Sequence, residues 1–189
     1  MLPDTARLTL RALDDGDLPA LRAILGDGET MAAYEGAFSE AETLDWLRRQ
    51  QDRYRADGFG LWAVVERATG DVIGQTGITR QTLEDDEIVE VGYLFRRDRW
   101  HRGFAVEAAS ASVDWAFTTL PVEHVWAKVR DTNLASMNVA IRLGMRVRRR
   151  FVTRYRGVDM PHFGFALSRD EWQASRDSEM RRHSENPTA

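Results

Sequence analysis

From Arg7 to Ala12 polar and apolar residues alternate (Arg-Leu-Thr-Leu-Arg-Ala), the period of a strand with one buried face. Asp14-Asp-Gly-Asp17 supplies N-cap chemistry for a helix through Leu25, which Gly26 and Gly28 end. Ser39 and Glu42 form a capping box for a second helix that carries Leu44, Leu47 and Tyr54 on related faces and stops at Asp57-Gly58. Phe59 to Glu66, Val72 to Thr79 and Ile88 to Arg96 then read as three strands, joined by the turn Ala68-Thr-Gly-Asp71 and the acidic loop Glu84 to Glu87. After Gly103 the period becomes helical, and the small residues Ala105, Ala108, Ala109, Ser112 and Ala116 let that helix lie close to a sheet until Pro121. Val122 to Val129 predicts a strand, Asn133 to Leu143 a helix stopped by Gly144, and Met145 to Tyr155 with Met160 to Leu167 a hairpin about Arg156-Gly157-Val158-Asp159. The order β, α, α, β, β, β, α, β, α, β, β contains no linker or repeat, so one α/β (α+β) domain is drawn over residues 1–173. Asp170 onward has room for one short helix, but Ser175 to Ala189 is polar with few apolar anchors, so 174–189 is expected to be a frayed, flexible tail.

Composition narrows the function classes. With 189 residues, 43% of them hydrophobic, the chain can fill a single core. A formal charge of -4 argues against a dedicated nucleic-acid binder, and of 26 basic residues only Lys128 is lysine. The absence of cysteine removes disulfides, thiolate zinc sites and a cysteine nucleophile. His101, His124, His162 and His183 are dispersed without ligand spacing, so no metal is expected. Asp4, Arg7, Arg11, Asp14, Asp15 and Asp17 interrupt any signal-peptide core in the first twenty residues, so a soluble, cytoplasmic protein without a membrane partner is expected.

The stretch that carries chemistry runs from Glu90-Val-Gly-Tyr-Leu-Phe95 through Arg96-Arg-Asp-Arg-Trp100 to His101-Arg-Gly-Phe-Ala105. A strand feeds an arginine-rich turn and then a helix start without a large side chain at Gly103 or Ala105, an arrangement that aims free N–H groups at an anion. The expected ligand is a phosphate, with charge-assisted bonds available from Arg96, Arg97, Arg99 and Arg102. A plain helix start with solvated arginines is the alternative for this stretch alone. Gly58-Phe-Gly60-Leu-Trp-Ala63 matches the letters of a dinucleotide fingerprint but continues as a strand where a helix is required, and no Gly-Lys-Ser or Gly-Lys-Thr occurs.

The segment Trp100-His-Arg-Gly103-Phe-Ala105-Val-Glu107-Ala108 resembles the acetyl-CoA loop of the GCN5-related N-acetyltransferase (GNAT) superfamily, in its RimJ/RimL-like branch. Thr5 to Arg11 with Asp17, Val89-Glu-Val-Gly-Tyr93, Asn133-Leu-Ala-Ser136 and Leu143-Gly-Met145 resemble other parts of that branch in order and spacing, over roughly Arg7 to Ser168. The resemblance implies a mixed, mostly antiparallel sheet whose strand near Tyr93 to Arg96 splays from the Val122 to Val129 strand and leaves amides for the pantetheine arm. Acetyl-CoA would then lie against Tyr93, Leu94, Phe95, Arg96, Arg97, Trp100, His101, Arg102, Gly103, Phe104 and Ala105, with Asn133 and Ser136 near the thioester. The superfamily usually has Gln or Arg where Trp100 stands, so the phosphate grip should rest more on backbone than on that side chain. Many members place a Tyr general acid on the late helix, and Val139 to Arg142 has none.

The reaction implied is direct attack of an amine on the thioester carbonyl, with Glu90 as candidate base and Ser136 as the group that bonds or protonates the leaving thiolate. A surface role for Glu90 and a helix-cap role for Asn133 are the structural alternatives. By resemblance Tyr34, Glu35 and Phe38 flank the amine pocket, where carboxylates would suit a cationic amine. The resemblance implies a protein N-terminal or small-molecule amine as acceptor, and a homodimer is the assembly relatives often adopt. Seven arginines between Arg142 and Arg156, with Arg146, Arg148 and Arg150 on one face at strand period, keep open an RNA-contacting adaptor beside an enzyme or a non-catalytic acyl-CoA binding module.

Overall fold

A computed structural model describes residues 2–185. Its elements are β1 (Leu8–Arg11), α1 (Leu18–Leu25), α2 (Glu40–Ala56), β2 (Leu61–Glu66), β3 (Val72–Leu83), β4 (Asp86–Phe95), α3 (Phe104–Thr119), β5 (His124–Arg130), α4 (Leu134–Arg142), β6 (Arg146–Tyr155), β7 (Val158–Ser168) and α5 (Arg169–Glu185). The seven strands form one open sheet in the order β1-β2-β3-β4-β5-β7-β6, antiparallel throughout except for the parallel neighbours β4 and β5. The parallel join follows from the crossover α3, since two parallel strands cannot be linked by a tight turn.

Helices cover both faces. Leu21, Ile24 and Leu25 of α1 and Leu47 of α2 close over Ala63 and Leu94 on one face. On the other, Ala108, Ala109, Ser112 and Ala116 are fully buried in α3, small enough to bring its backbone against Ile78 and Val91. The capping box of α2 forms as its sequence directs, with Glu42 N–H donating to Ser39 Oγ at 3.2 Å and Ser39 N–H to Glu42 Oε2 at 2.7 Å. Gly77 lies where β3 passes so close to the start of β2 that a Cβ there would meet the Gly60 carbonyl oxygen at 2.2 Å.

Three expectations change. The acidic loop contracts to a tight turn at Glu84 and Asp85, because β3 and β4 stay paired from Gly74↔Phe95 to Leu83↔Asp86. Helical backbone extends as far as Glu185 in α5, whose Trp172, ahead of the 174–189 stretch, stacks on Phe117 with ring centroids 5.1 Å apart and donates Nε1–H to Asp114 Oδ1 at 2.6 Å. Residues 186–189 of that stretch lie outside the described residues. In β6 a register shift between Val147 and Arg149 breaks the alternation that would align Arg146, Arg148 and Arg150. Among the described residues no helix is long and apolar enough to cross a membrane.

Candidate active site

On the side of β5, strand β4 is paired only at Glu90↔Trp126. Beyond that point the strands part, and because Arg96 N–H bonds to Ile73 O of β3, alternation turns the main-chain groups of Tyr93 and Phe95 toward the gap. Glu90 occupies the fork. Its Oε1 accepts the Lys128 main-chain N–H at 3.2 Å, a donor that a paired strand would have given to backbone, and its Oε2 lies 3.5 Å from Lys128 Nζ. The side chain is 16% exposed, and burial pushes the carboxyl above the usual carboxylate range while Lys128 pulls the other way.

Past Phe95 a short 3-10 turn, Arg97–Arg99, leads into α3. Gly103, at φ 80°, is the N-cap and gives no side-chain cap, and His101 also has positive φ (59°). The N–H groups of residues 101–105 meet no protein acceptor among the described residues, and the dipole of a 16-residue helix adds positive potential there. Arg7 fixes this loop: Nη1–H donates to Arg102 O at 2.9 Å, and the guanidinium lies 4.5 Å from the Phe104 ring centroid. Glu107 holds Arg7 through Nε at 2.6 Å and the Thr5 hydroxyl at 2.5 Å.

The arginines expected to grip phosphate are largely engaged elsewhere. Arg96 forks onto Asp98 at 3.0 and 2.8 Å, Arg97 reaches Glu29 at 2.6 Å, and Arg99 lies 3.3 Å from Glu66. Arg102 is exposed with no ion pair among the described residues. Trp100 turns inward, its Nε1–H on Phe95 O at 2.9 Å, while Phe95 and Phe104 are core side chains and Leu94 packs in the α1–α2 layer. What Phe95, Trp100, Phe104 and Ala105 offer the gap and loop is therefore backbone and its support.

At α4, Asn133 acts as N-cap, its Oδ1 accepting Ser136 N–H at 3.1 Å. Ser136 is also joined to β4: the Tyr93 hydroxyl lies 2.9 Å from Ser136 O and 3.0 Å from Ser136 Oγ. Burial pushes the Tyr93 phenol up to about 12, against the pull of the Ser136 hydrogen bond.

On the opposite face the 3-10 turn Ala32–Tyr34 approaches the fork from the α1–α2 layer. Tyr34 is the member of the expected acceptor group that senses Glu90: burial first, then the Glu90 charge, raises its phenol. Phe38 is buried edge-on to Tyr34 and Trp46 at 6.3 and 5.8 Å, a packing role. Glu35 is paired with Arg130, and the Arg156 guanidinium donates to Glu35 O at 3.4 Å. Lys128, Arg130 and Arg7 are the residues the sequence reading missed; the one signal was that Lys128 is the chain's single lysine. Among the described residues no group of three or more His, Asp or Glu could hold a metal ion.

This arrangement agrees with independent likenesses. The family profile described as Acetyltransferase (GNAT) domain matches residues 7–146. The Bacillus subtilis protein YkkB is 34% identical over 142 residues, covering 75% of this chain and 83% of that protein. A GNAT-family acetyltransferase from Bacillus anthracis superposes with a TM-score of 0.78 at 21% identity, covering 90% of this chain and all (100%) of that one. RimL, a ribosomal L7/L12 alpha-N-protein acetyltransferase solved with coenzyme A, gives 0.73 at 16% identity over 90% of this chain and 98% of its own. A sheet that opens beside its parallel join, a helix start with free donors and a family match across most of the length agree: the chain belongs to the GNAT acetyltransferases.

Proposed function

We propose that this chain moves an acetyl group from acetyl-CoA to the α-amine of a peptide or a similarly small, singly charged amine. The observation that carries the reading is the opening of β4 from β5 beside a helix start whose N–H groups at 101–105 have no protein acceptor among the described residues. These residues fit the carrier: the loop offers donors to a diphosphate, and the gap offers strand-like partners to an amide-bearing arm. Acetyl-CoA supplies an acetyl thioester whose C–S bond is exchanged for a C–N bond. Glu90, lifted by burial, takes the surplus proton of the amine, and Ser136 at the start of α4 gives one to the departing sulfur.

The acceptor choice rests on charge. Glu29 and Glu35, the carboxylates that would have drawn a polycation, are already matched by Arg97 and Arg130. An α-amine, with a reference pKa of about 8, also yields its proton to a carboxylate more readily than an amine near about 10. The arginine band supports an RNA-contacting role poorly, because Arg146 and Arg148 share Glu171, Arg149 meets Asp86, and Arg156 meets Glu42.

Coenzyme A release should be followed with acetyl-CoA and a panel of short peptides, amino-acid amides and spermidine. Turnover with peptides or amides above spermidine supports the reading, and preference for spermidine overturns the acceptor while leaving acetyl transfer. A thermal shift with acetyl-CoA but no turnover on any amine identifies a binding module instead.

A further inference from the structure

We infer that the Tyr93 hydroxyl is a positioning group for Ser136, holding its Oγ toward the leaving sulfur and supporting the oxygen as it gives up its proton. This rests on the proposed acetyl transfer and deepens it. Tyr93 stands on β4 beyond the fork, and Ser136 stands on the helix that follows β5, so their contact ties the two diverging arms together. Glu90 and the Lys128 N–H make the corresponding tie on the other face, since alternation puts Glu90 with Leu94 and Tyr93 with the α3 layer. The candidate base and the candidate acid are thus each held by a bond that crosses the opening.

A phenol has one proton and can serve Ser136 in two ways. Donating to the carbonyl at 2.9 Å, it accepts the serine proton; donating to Oγ at 3.0 Å, it frees that proton to point elsewhere. The main chain of Ser136 is already fixed by Asn133, so the remaining freedom is the Oγ rotamer, and Tyr93 limits it. In the transfer, Ser136 gives its proton to the sulfur, which keeps the electron pair of the broken C–S bond. Tyr93 donates to the oxygen left behind, and Ser136 recovers a proton from solvent. Burial of the phenol keeps it a donor throughout.

The test is a double-mutant cycle with Tyr93→Phe, Ser136→Ala and the pair, reading kcat, KM for acetyl-CoA and thermal midpoint in the full chain. Tyr93→Phe should lower kcat about tenfold and change KM less than about threefold, and the double variant should be no slower than Ser136→Ala alone. Unchanged kcat in Tyr93→Phe, multiplied losses in the double variant, or a loss confined to KM overturns the inference. So does a fully active Ser136→Ala, which leaves acetyl transfer itself standing. A wild-type chain that releases no coenzyme A with any amine removes the proposed function and this inference with it. If Tyr93→Phe folds poorly, its acetyl-CoA thermal shift against wild type separates lost structure from lost chemistry.

Discussion

The two edges of β4 are built on opposite plans. Toward β3 it is paired along its whole length, and main-chain donors meet main-chain acceptors. Toward β5 it is paired at one position, and side chains stand in: Glu90 takes Lys128 N–H, and Trp100 gives its Nε1–H to Phe95 O. An unpaired main-chain group in a sheet interior costs about 1–3 kcal/mol when nothing replaces its partner, so the open edge persists only where something else satisfies it. The closed edge sets where β4 lies, and the open edge presents what a strand-like ligand can use.

Displacing β3, the strand that holds the closed edge, should have the largest effect. Gly77→Val places a Cβ against the Gly60 carbonyl and Leu61 Cα, all backbone, at a glycine with φ 155°. About 3 kcal/mol of stability or more should vanish, visible as a collapsed denaturation midpoint with no acetyl-CoA dependence. A variant of near-normal stability would mean that the β2–β3 approach yields easily.

On the open edge the strongest expected effect is at Glu90. Glu90→Gln keeps an acceptor for Lys128 N–H but removes the base, so kcat should fall about 10²- to 10³-fold while acetyl-CoA still shifts the melting curve. The pH dependence has a definite sign. A base works deprotonated, and burial has raised this carboxyl, so the wild-type rate should climb with pH through a limb above the ordinary carboxylate range. The Gln variant should lack that limb; a profile shared by both proteins removes Glu90 from the chemistry.

How far each edge could be read in advance follows from what its signals depend on. The capping box Ser39–Glu42, the small face of α3 and the helix start at Gly103 are local patterns, and each lies where the sequence places it. The direction of Glu90 depended on strand register, which Thr79↔Glu90 and Glu90↔Trp126 supply only through long-range pairing. Arg97 looked available until Glu29, 68 positions earlier, came beside it. The length of α5 was hidden for the same reason, since Trp172 finds Phe117 and Asp114 on a helix more than fifty residues away. Local chemistry pointed to free donors at the helix start; only tertiary pairing showed that Arg96, Arg97 and Arg99 are engaged by carboxylates.

The loop at the end of the open edge gives a smaller effect. Gly103→Val forces a β-branched side chain into φ 80°, a left-handed conformation that costs an L-residue about 1–2 kcal/mol, whereas the nearest atom to a new Cβ is Arg7 Nη2 at 3.4 Å, about van der Waals contact. Space is not the obstacle, so the chain should stay folded and relieve strain by turning the 101–105 amides. Acetyl-CoA affinity should fall about five- to thirtyfold by calorimetry, in line with that strain. Undiminished affinity would move the diphosphate away from these amides.

The smallest effect is expected at the sheet's outer boundary, where β6 is, among the described residues, also unpaired on one side but faces water. Solvent satisfies its backbone there, and arginines with a register shift near Arg148 blunt it against pairing with another chain. Arg148 is 40% exposed and shares Glu171 with Arg146, and Glu171 keeps its separate role of accepting Ser168 N–H at 3.0 Å when Arg148 is removed. Arg148→Ala should therefore change stability by no more than about 0.5 kcal/mol and leave turnover unaltered, checked by paired urea titrations and steady-state rates. A large loss of activity would mean that this edge, too, is part of the working surface, and the contrast between a buried opening proposed to take a ligand and an exposed one blunted by charge would have to be redrawn.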